Sequence, residues 1–132
     1  MPSLFSRIIA GEIPCHKVAE DAQFLAFLDI MPLVPGHVLV VPKKETDYIF
    51  DIADEELGPM MLFSKKVALG LKKAVPCKRI GVAVIGLEVP HAHIHLVPMQ
   101  TVGDINFTRP KLSPTSEELA EMAGKISSQI GI

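Results

Sequence analysis

Residues 91–97 read His-Ala-His-Ile-His-Leu-Val, so three of the five histidines in the chain stand at every second position. Side chains of an extended strand alternate between its two faces, so we expect the three imidazoles on one face and the apolar residues on the other. The apolar set belongs against a core, which leaves the imidazoles facing a cleft or solvent. A single histidine beside apolar residues is commonly a packed, hydrogen-bonded one. Three in strict alternation instead indicate a site that performs chemistry.

Two chemistries are compatible with this row of histidines. A neutral imidazole nitrogen is a good nucleophile near pH 7, so one ring can attack phosphorus while its neighbours carry protons. Alternatively, a His-x-His pair on a strand chelates zinc, with Cys15, His16 or His37 as a further ligand. The spacing alone does not choose between them.

Around this stretch the hydrophobic pattern predicts, in order, a helix, three strands, a helix, two strands and a helix. The expected elements are a short helix capped by Ser3, strands at about 18–21, 24–28 and 37–41, a helix at about 54–75, strands at 80–85 and 93–98, and a C-terminal helix at about 114–130. Pro35 and Gly36 suit the centre of a type II turn before the third strand. This order predicts an α+β fold whose sheet is made largely of sequence-adjacent strands.

The two long helices each carry a boundary signal. Proline is tolerated only in the first turn of a helix, so we expect the regular part of the 54–75 helix to begin near Pro59. Its expected buried stripe consists of Leu57, Met60, Met61, Val67, Ala68, Leu71, Ala74 and Val75. Ser113 is expected to cap the C-terminal helix, with Pro114 at its first position and two glutamates in its first turn.

Composition excludes several classes of protein. The 132 residues, 48% apolar and 21% charged, predict one globular domain spanning residues 1–132. A net charge of −2 argues against a nucleic-acid partner bound through a basic face. No apolar run approaches the roughly 20 residues that cross a bilayer, so no membrane partner is expected. Residues 1–12 lack the pattern of a secretory signal, and two cysteines are too few for a disulfide framework, which together predict a cytoplasmic protein.

The 91–97 stretch resembles the His-φ-His-φ-His-φ-φ signature of the histidine-triad (HIT) superfamily, in which φ is apolar. Residues 4–14 resemble that family's opening helix, 26–30 its ribose-site strand and 35–43 its central strand, so the match covers essentially residues 3–99. The resemblance implies a five-stranded, mainly antiparallel sheet with a long central helix and a C-terminal helix. It also implies a homodimer in which two such sheets join into ten strands.

The function implied by this resemblance is cleavage of a phosphoramidate or phosphoanhydride bond at the α-phosphate of a purine nucleotide, through a covalent nucleotidyl-histidine and without a cofactor. His93 matches the nucleophile, and the backbone carbonyl of His91 would hold its other ring nitrogen. The rings of His91 and His95 would bond phosphate oxygens and assist the leaving group. His37 matches the fourth histidine of the family.

The same resemblance implies a nucleotide-binding set. Asp29 matches the acid that accepts hydrogen bonds from both ribose hydroxyls. Backbone N–H groups between Gly86 and Val89 are candidates to hold phosphate oxygens. The apolar positions that sandwich the base are matched by Leu4, Phe5, Ile8, Phe27 and Ile30.

The sequence departs from the family pattern at three places. The loop before the triad lacks the usual asparagine and glutamine and carries Glu88, which repels a phosphate unless it points away or pairs with a base such as Arg109. Ser3 and Ser6 stand where some bacterial members hold a structural zinc with two cysteines, so no metal is expected there. The tryptophan of the phosphoramidase branch is missing. A nucleotide-binding regulatory module with little catalysis and a metal-dependent hydrolase therefore stay open as alternatives.

Overall fold

The computed structural model describes residues 2–131, which form one five-stranded sheet and three α-helices. The helices are α1 (Leu4–Ile9), α2 (Asp54–Ala74) and α3 (Ser116–Ser127), and the strands are β1 (Lys17–Glu20), β2 (Phe24–Leu28), β3 (Val38–Pro42), β4 (Arg79–Ala83) and β5 (Ile94–Met99). Short 3₁₀-helices cover Ile49–Asp51 and Val102–Ile105. The predicted α+β class and the predicted order of helices and strands are confirmed.

The sheet has the strand order β1-β2-β3-β5-β4, and all its neighbouring strands are antiparallel. β3 is the central strand, as predicted, and lies beside β5 with Leu39 opposite His95. The turn before β3 places Gly36 at φ +90°, a conformation that favours glycine, and the His37 N–H donates to the Val34 carbonyl (3.2 Å). This turn delivers the start of β3 next to the histidine-bearing strand.

The two faces of the sheet are both covered, which explains why β2 and β3 are buried at every position. One face packs against α2 and α3 and contains Ala92, Ile94 and Leu96, the apolar set that alternates with the histidines. The opposite face packs against α1 through a smaller cluster of Phe5, Leu25, Phe27, Leu39 and Val41. The alternation of side chains therefore assigns the imidazoles to the α1 face.

Both long helices begin at residues other than those expected. α2 begins at Asp54, five residues before Pro59, because the proline removes only one backbone hydrogen bond, whose acceptor would be the carbonyl of the exposed Glu55. α3 is capped by Thr115 and not by Ser113. The Thr115 hydroxyl accepts from the Glu118 N–H (3.1 Å) and the Glu118 carboxylate accepts from the Thr115 N–H (2.9 Å), a reciprocal pair that Ser113 cannot form.

The expected buried stripe of α2 is correct except at its outer edge. Met60, Val67, Leu71 and Ala74 are buried, whereas Met61 is 52% exposed. Leu62 and Leu69 of the same helix are also exposed, so α2 has a second apolar face without a partner among residues 2–131. No helix within residues 2–131 is both long and apolar enough to cross a membrane.

The Gly36 turn should be sensitive to a single methyl group. A Cβ at residue 36 would lie 3.0 Å from a methyl carbon of Val75 and 3.2 Å from the Pro98 ring, and the φ of +90° strains any L-residue. We expect Gly36→Ala to lower the free energy of unfolding by about 1–3 kcal/mol in a urea titration. Gly124→Ala on α3 meets nothing within 4 Å and should instead raise it by about 0.5–1 kcal/mol. Equal stabilities for the two variants would contradict this account of the turn.

Candidate active site

The histidine row extends from the loop before β5 into the strand itself. β5 begins at Ile94, so only His95 lies inside it, although the alternation of faces already holds at His91 and His93. His91 is 0% exposed, and His93 and His95 are each 7% exposed. The expectation that all three rings face a cleft or solvent is therefore wrong. Only His93 and His95 of the three retain a small exposed fraction.

His91 is a buried anchor whose two ring nitrogens are both bonded within the protein. Its Nε2 lies 2.7 Å from the Pro42 carbonyl, which can only accept, so Nε2 carries the proton. In the neutral ring Nδ1 then accepts from the Ser3 hydroxyl at 2.7 Å. The expectation that this ring binds a phosphate oxygen does not fit these contacts, because no ring nitrogen remains for a ligand.

The Ser3 hydroxyl belongs to a network that ties α1 to the triad. Glu45 Oε1 accepts from the Ser3 N–H (2.7 Å) and from the Ser6 hydroxyl (2.6 Å). These bonds, the Ser6 one above all, lower the pKa of Glu45 to about 2. Both hydroxyls at the positions matched to zinc-binding cysteines are thus committed to hydrogen bonds, and oxygen donors of this kind are poor zinc ligands.

His93 is oriented by the backbone of His91. Its Nδ1 donates to the His91 carbonyl at 2.7 Å, so in the neutral ring the lone pair is on Nε2. Burial lowers the pKa of His93, which keeps that nitrogen unprotonated at neutral pH. The Phe5 ring lies edge-on against the imidazole, with centroids 4.9 Å apart. The result is a fixed imidazole with one free, nucleophilic nitrogen.

His37 and His95 form a second chain of hydrogen bonds that begins at a backbone amide. The Leu33 N–H donates to His37 Nδ1 (3.1 Å), so the proton of His37 is on Nε2 and is donated to His95 Nδ1 (2.9 Å). The proton of His95 must then be on Nε2. Burial lowers the pKa of His37 to about 4 and that of His95 to about 3, so both rings are neutral at pH 7. His95 therefore offers an N–H donor close to His93, with ring centroids 4.9 Å apart.

Asp29, His37 and His95 bring three potential metal-ligand atoms within 4.8 Å of one another. A metal on His37 Nε2 would move the ring proton to Nδ1, which already faces the Leu33 N–H donor. The Nδ1–H of His37 and the Leu33 N–H, both donors, would then face each other without an acceptor between them. This set of three residues therefore suits a hydrogen-bond chain better than a metal.

Asp29 lies beside this chain with its side chain 21% exposed. Oδ1 accepts from the Met31 N–H (2.9 Å), and Oδ2 lies 3.9 Å from His37 Nε2, too far for a hydrogen bond. Burial raises the pKa of this carboxyl. Oδ2 is thus a partly desolvated acceptor with capacity for hydroxyl donors, which is what the ribose assignment requires.

The apolar residues assigned to the base divide into two groups. Phe5 and Phe27 are buried in the α1-face cluster with ring centroids 5.6 Å apart, so they serve the core. Ile8 is half-buried, and Leu4 and Ile30 are 46% and 63% exposed. Only these three present surface to a ligand.

The loop before the triad contains two of the predicted site residues, Glu88 and Val89, which differ in burial. Glu88 is exposed, and its charge acts to raise the pKa of both His93 and Asp29. Val89 packs half-buried against the α1-face cluster, and its carbonyl accepts from the His91 N–H (2.8 Å). Arg109 does not neutralise Glu88, since it lies 3.6 Å from Asp104. Glu88 forms no ion pair with any residue from 2 to 131, and its negative charge acts on His93.

Residues 106–112, which we call the strap, cover the site and were missed by sequence reasoning. Phe107 packs its ring edge-on against His95, with centroids 4.7 Å apart. The Arg109 guanidinium donates to the Leu33 carbonyl at 2.7 Å, on the residue whose N–H holds His37. The aromatic residue Phe107 was a signal in the sequence, but it did not indicate a partner.

This geometry can be compared with known proteins. A family model described as the HIT domain matches residues 10–102. The chain belongs to the HIT family. Among curated HIT relatives, it is 33% identical to the adenosine 5'-monophosphoramidase hnt1 of Schizosaccharomyces pombe, an alignment that covers 98% of this chain and 99% of that one.

Solved HIT structures agree with the fold. The Hit-like protein of Bartonella henselae superposes with a TM-score of 0.85 at 33% identity, covering 97% of this chain and 96% of that one. A zinc-bound histidine triad family protein of Mycobacterium smegmatis superposes with a TM-score of 0.82 at 25% identity, covering 96% and 91%. The five-stranded sheet is thus the HIT fold.

The buried imidazoles should make the stability of this HIT protein depend on pH. The folded-state pKa of His37 lies near 4 and its ordinary value near 6.5, so the unfolded chain binds protons first as the pH falls. Stability should be lost progressively between about pH 6.5 and 4, by up to about 3 kcal/mol for this group. Urea titrations across that range measure the loss.

The matched variant for this test is His37→Asn, because asparagine does not titrate. Its stability is expected to depend less steeply on pH than that of the wild type over the same range. An identical slope in the two proteins would mean that His37 is not buried in its neutral form.

Proposed function

We propose that this protein is a nucleotide hydrolase or nucleotidyl transferase that cleaves a phosphoramidate or phosphoanhydride bond at the α-phosphate, through a covalent bond between phosphorus and His93 Nε2. The observation that carries this is the 2.7 Å bond from His93 Nδ1 to the His91 carbonyl, which leaves Nε2 as a free lone pair. Family membership and the similarity to a yeast adenosine monophosphoramidase support hydrolase chemistry in general.

The reaction has two steps. His93 Nε2 attacks phosphorus, and the bond to the leaving group breaks with its electron pair on that group while His95 Nε2–H donates a hydrogen bond to it. A phosphate leaves in this way as an anion, whereas an amine takes up one proton from solvent as it leaves. The resulting imidazolium keeps its Nδ1–H on the His91 carbonyl, which stabilises the charge. Water then attacks phosphorus, the electron pair of the P–N bond returns to Nε2, and one proton leaves to solvent.

The nucleotide is held by groups around the histidines. The free Oδ2 of Asp29 accepts from the ribose hydroxyls, and the exposed faces of Leu4, Ile8 and Ile30 contact the base, which we take to be a purine. Backbone N–H groups between Gly86 and Val89 are the candidates for the phosphate oxygens. No cofactor takes part in this scheme.

A second candidate function is a nucleotide-binding regulatory module with little catalysis. The observation that favours it is Glu88, whose negative charge beside His93 repels an approaching phosphate. Measurable nucleotide binding without turnover would support this function over hydrolysis.

We further propose that the protein acts as a homodimer. β4 is an edge strand, and beside it lies a cavity of about 480 Å³ lined in part by Met61, Val82 and Ile85, all exposed. Pairing β4 with its copy would satisfy the open edge and give ten strands. The two half-buried cysteines, both free thiols, are compatible with a reducing compartment such as the cytoplasm.

Removal of the nucleophile separates catalysis from binding. His93→Ala should abolish turnover of adenosine 5'-phosphoramidate and of diadenosine triphosphate while nucleotide affinity changes less than about threefold, because the ring makes its main contribution in the transition state. Acid-quenched wild type should gain the mass of one nucleoside monophosphate on His93. His16→Ala, outside the hydrogen-bonded histidine cluster, serves as the control and should retain turnover. Full turnover by His93→Ala would refute the covalent mechanism.

A charge at the proposed interface tests the dimer. Met61→Glu places a carboxylate in the apolar cavity beside β4 and should yield a monomer by light scattering. Lys125→Glu changes the charge of an exposed position on α3 and should leave the mass at that of the wild type. A wild-type mass near 14.4 kDa would contradict the homodimer.

A further inference from the structure

Two hydrogen bonds from the strap hold the loop that precedes β3. The Arg109 guanidinium donates to the Leu33 carbonyl (2.7 Å), and the Leu112 N–H donates to the Pro32 carbonyl (2.9 Å). Both acceptors lie between β2 and β3, outside the strand pairing of the sheet. The buried side chain of Leu33 holds that residue in place, but the direction of its peptide groups depends on their hydrogen-bond partners. The strap therefore orients the peptide groups on both sides of Leu33.

One of these peptide groups continues into the site, because the Pro32 carbonyl and the Leu33 N–H belong to the same peptide. The carbonyl accepts from Leu112, while the N–H donates to His37 Nδ1 (3.1 Å). A hydrogen bond accepted at the carbonyl polarises the peptide and strengthens its N–H as a donor. His37 in turn donates from Nε2 to His95 Nδ1 (2.9 Å). An unbroken series of hydrogen bonds thus connects the strap with His95.

The Arg109 guanidinium also ties this loop to the segment that follows β5. Besides its bond to Leu33, it donates to the Gly103 carbonyl (2.8 Å) and lies 3.6 Å from one carboxylate oxygen of Asp104. The other oxygen of Asp104 accepts from the Gln100 N–H (2.7 Å), directly after the end of β5. Arg109 therefore connects the loop that orients one histidine with the strand that carries the other.

Phe107 packs against both histidines of this pair. Its ring centroid lies 4.7 Å from that of His95 and 6.2 Å from that of His37, and both contacts are edge-on. The phenyl ring offers no polar atom to either imidazole, so it leaves the hydrogen bond between them undisturbed. Because Phe107 stands two residues before Arg109, the bonds of the guanidinium also hold this ring in place.

We propose that Arg109 is a positioning residue, which acts through the Leu33 peptide and His37 to keep the proton of His95 on Nε2. A carbonyl in place of the Leu33 N–H would require His37 to carry its proton on Nδ1. His95 would then donate from Nδ1 and present a lone pair at Nε2, a state that cannot donate to a leaving group. Only the use of the Nε2–H, a hydrogen bond to the leaving group, rests on the proposed function.

Nitrogen-15 NMR of the histidine rings in Arg109→Met tests this role without a substrate. Methionine retains an apolar stem and removes both contacts of the guanidinium with carbonyls. We expect the two nitrogen shifts within each of His37 and His95 to move toward each other, because a less firmly held donor allows exchange between tautomers. The shifts of His93 should stay as in the wild type, since a different carbonyl fixes that ring. Unchanged shifts at His37 and His95, or an equal change at His93, would overturn the role of Arg109.

Thr108→Val is the matched control within the strap. It removes the hydroxyl that donates to Asn106 Oδ1 (2.7 Å), a bond that lies inside the strap and involves neither histidine. Its histidine shifts should equal those of the wild type. A change as large as that in Arg109→Met would mean that any loosening of the strap has this effect, and would reject a specific role for the guanidinium.

Turnover distinguishes this proposal from the proposed function. With adenosine 5'-phosphoramidate, Arg109→Met should lower kcat about tenfold and change KM less than about twofold, because the weakened hydrogen bond acts on the departing group. Thr108→Val should retain the wild-type kcat. A raised KM with unchanged kcat would assign Arg109 to substrate binding and contradict the proposal. If the wild type shows no turnover and no adduct on His93, the hydrolase assignment fails, and the NMR comparison still decides the role of Arg109.

Discussion

The chemistry that we propose for this molecule depends on one hydrogen bond, from His93 Nδ1 to the carbonyl of His91 at 2.7 Å. A backbone carbonyl can only accept, so this contact fixes the tautomer and leaves the reactive nitrogen without a proton. The carbonyl is itself held in place, because the His91 ring is bonded to the Pro42 carbonyl and to the Ser3 hydroxyl. Residues from α1, β3 and the loop before β5 thus meet at one buried imidazole. These contacts orient the His93 ring, whose Nε2 is the proposed nucleophile.

Burial determines how the four clustered imidazoles divide their roles. Removing a ring from water disfavours its charged form, so His37 and His95 stay neutral and their protons are assigned by their partners. The assignment begins at the Leu33 N–H and passes through His37 to the Nε2–H of His95. The His91 carbonyl and the Leu33 N–H therefore give two neighbouring rings opposite functions. His93 presents a lone pair, and His95 presents a proton.

The sequence predicted the structure best where the buried residues follow a simple pattern along the chain. Continuous apolar runs predicted β2 and β3, which are buried at every position because the sheet is covered on both faces. Alternation through the triad separated the apolar residues from the imidazoles, and the two sets do lie on opposite faces. It failed where a distant partner decides the outcome. The ring of His91 turns inward because Ser3, 88 residues away, supplies a hydrogen bond to it. The spacing of the histidines in the sequence does not indicate that contact. The same holds for Phe107 and the strap, whose position depends on bonds to the Pro32–Leu33 loop. The start of α3 was misplaced because the Thr115–Glu118 capping pair prevailed over a serine followed by proline.

Nitrogen-15 NMR of the histidine rings at pH 7 tests the assigned tautomers most directly. The account predicts that His93 carries its proton on Nδ1, with an unprotonated Nε2, whereas His37 and His95 carry theirs on Nε2. These states should be static, with no averaging between tautomers, because backbone groups fix them. A protonated Nε2 on His93, or rapid exchange between its two tautomers, would contradict the claim that the His91 carbonyl prepares the nucleophile.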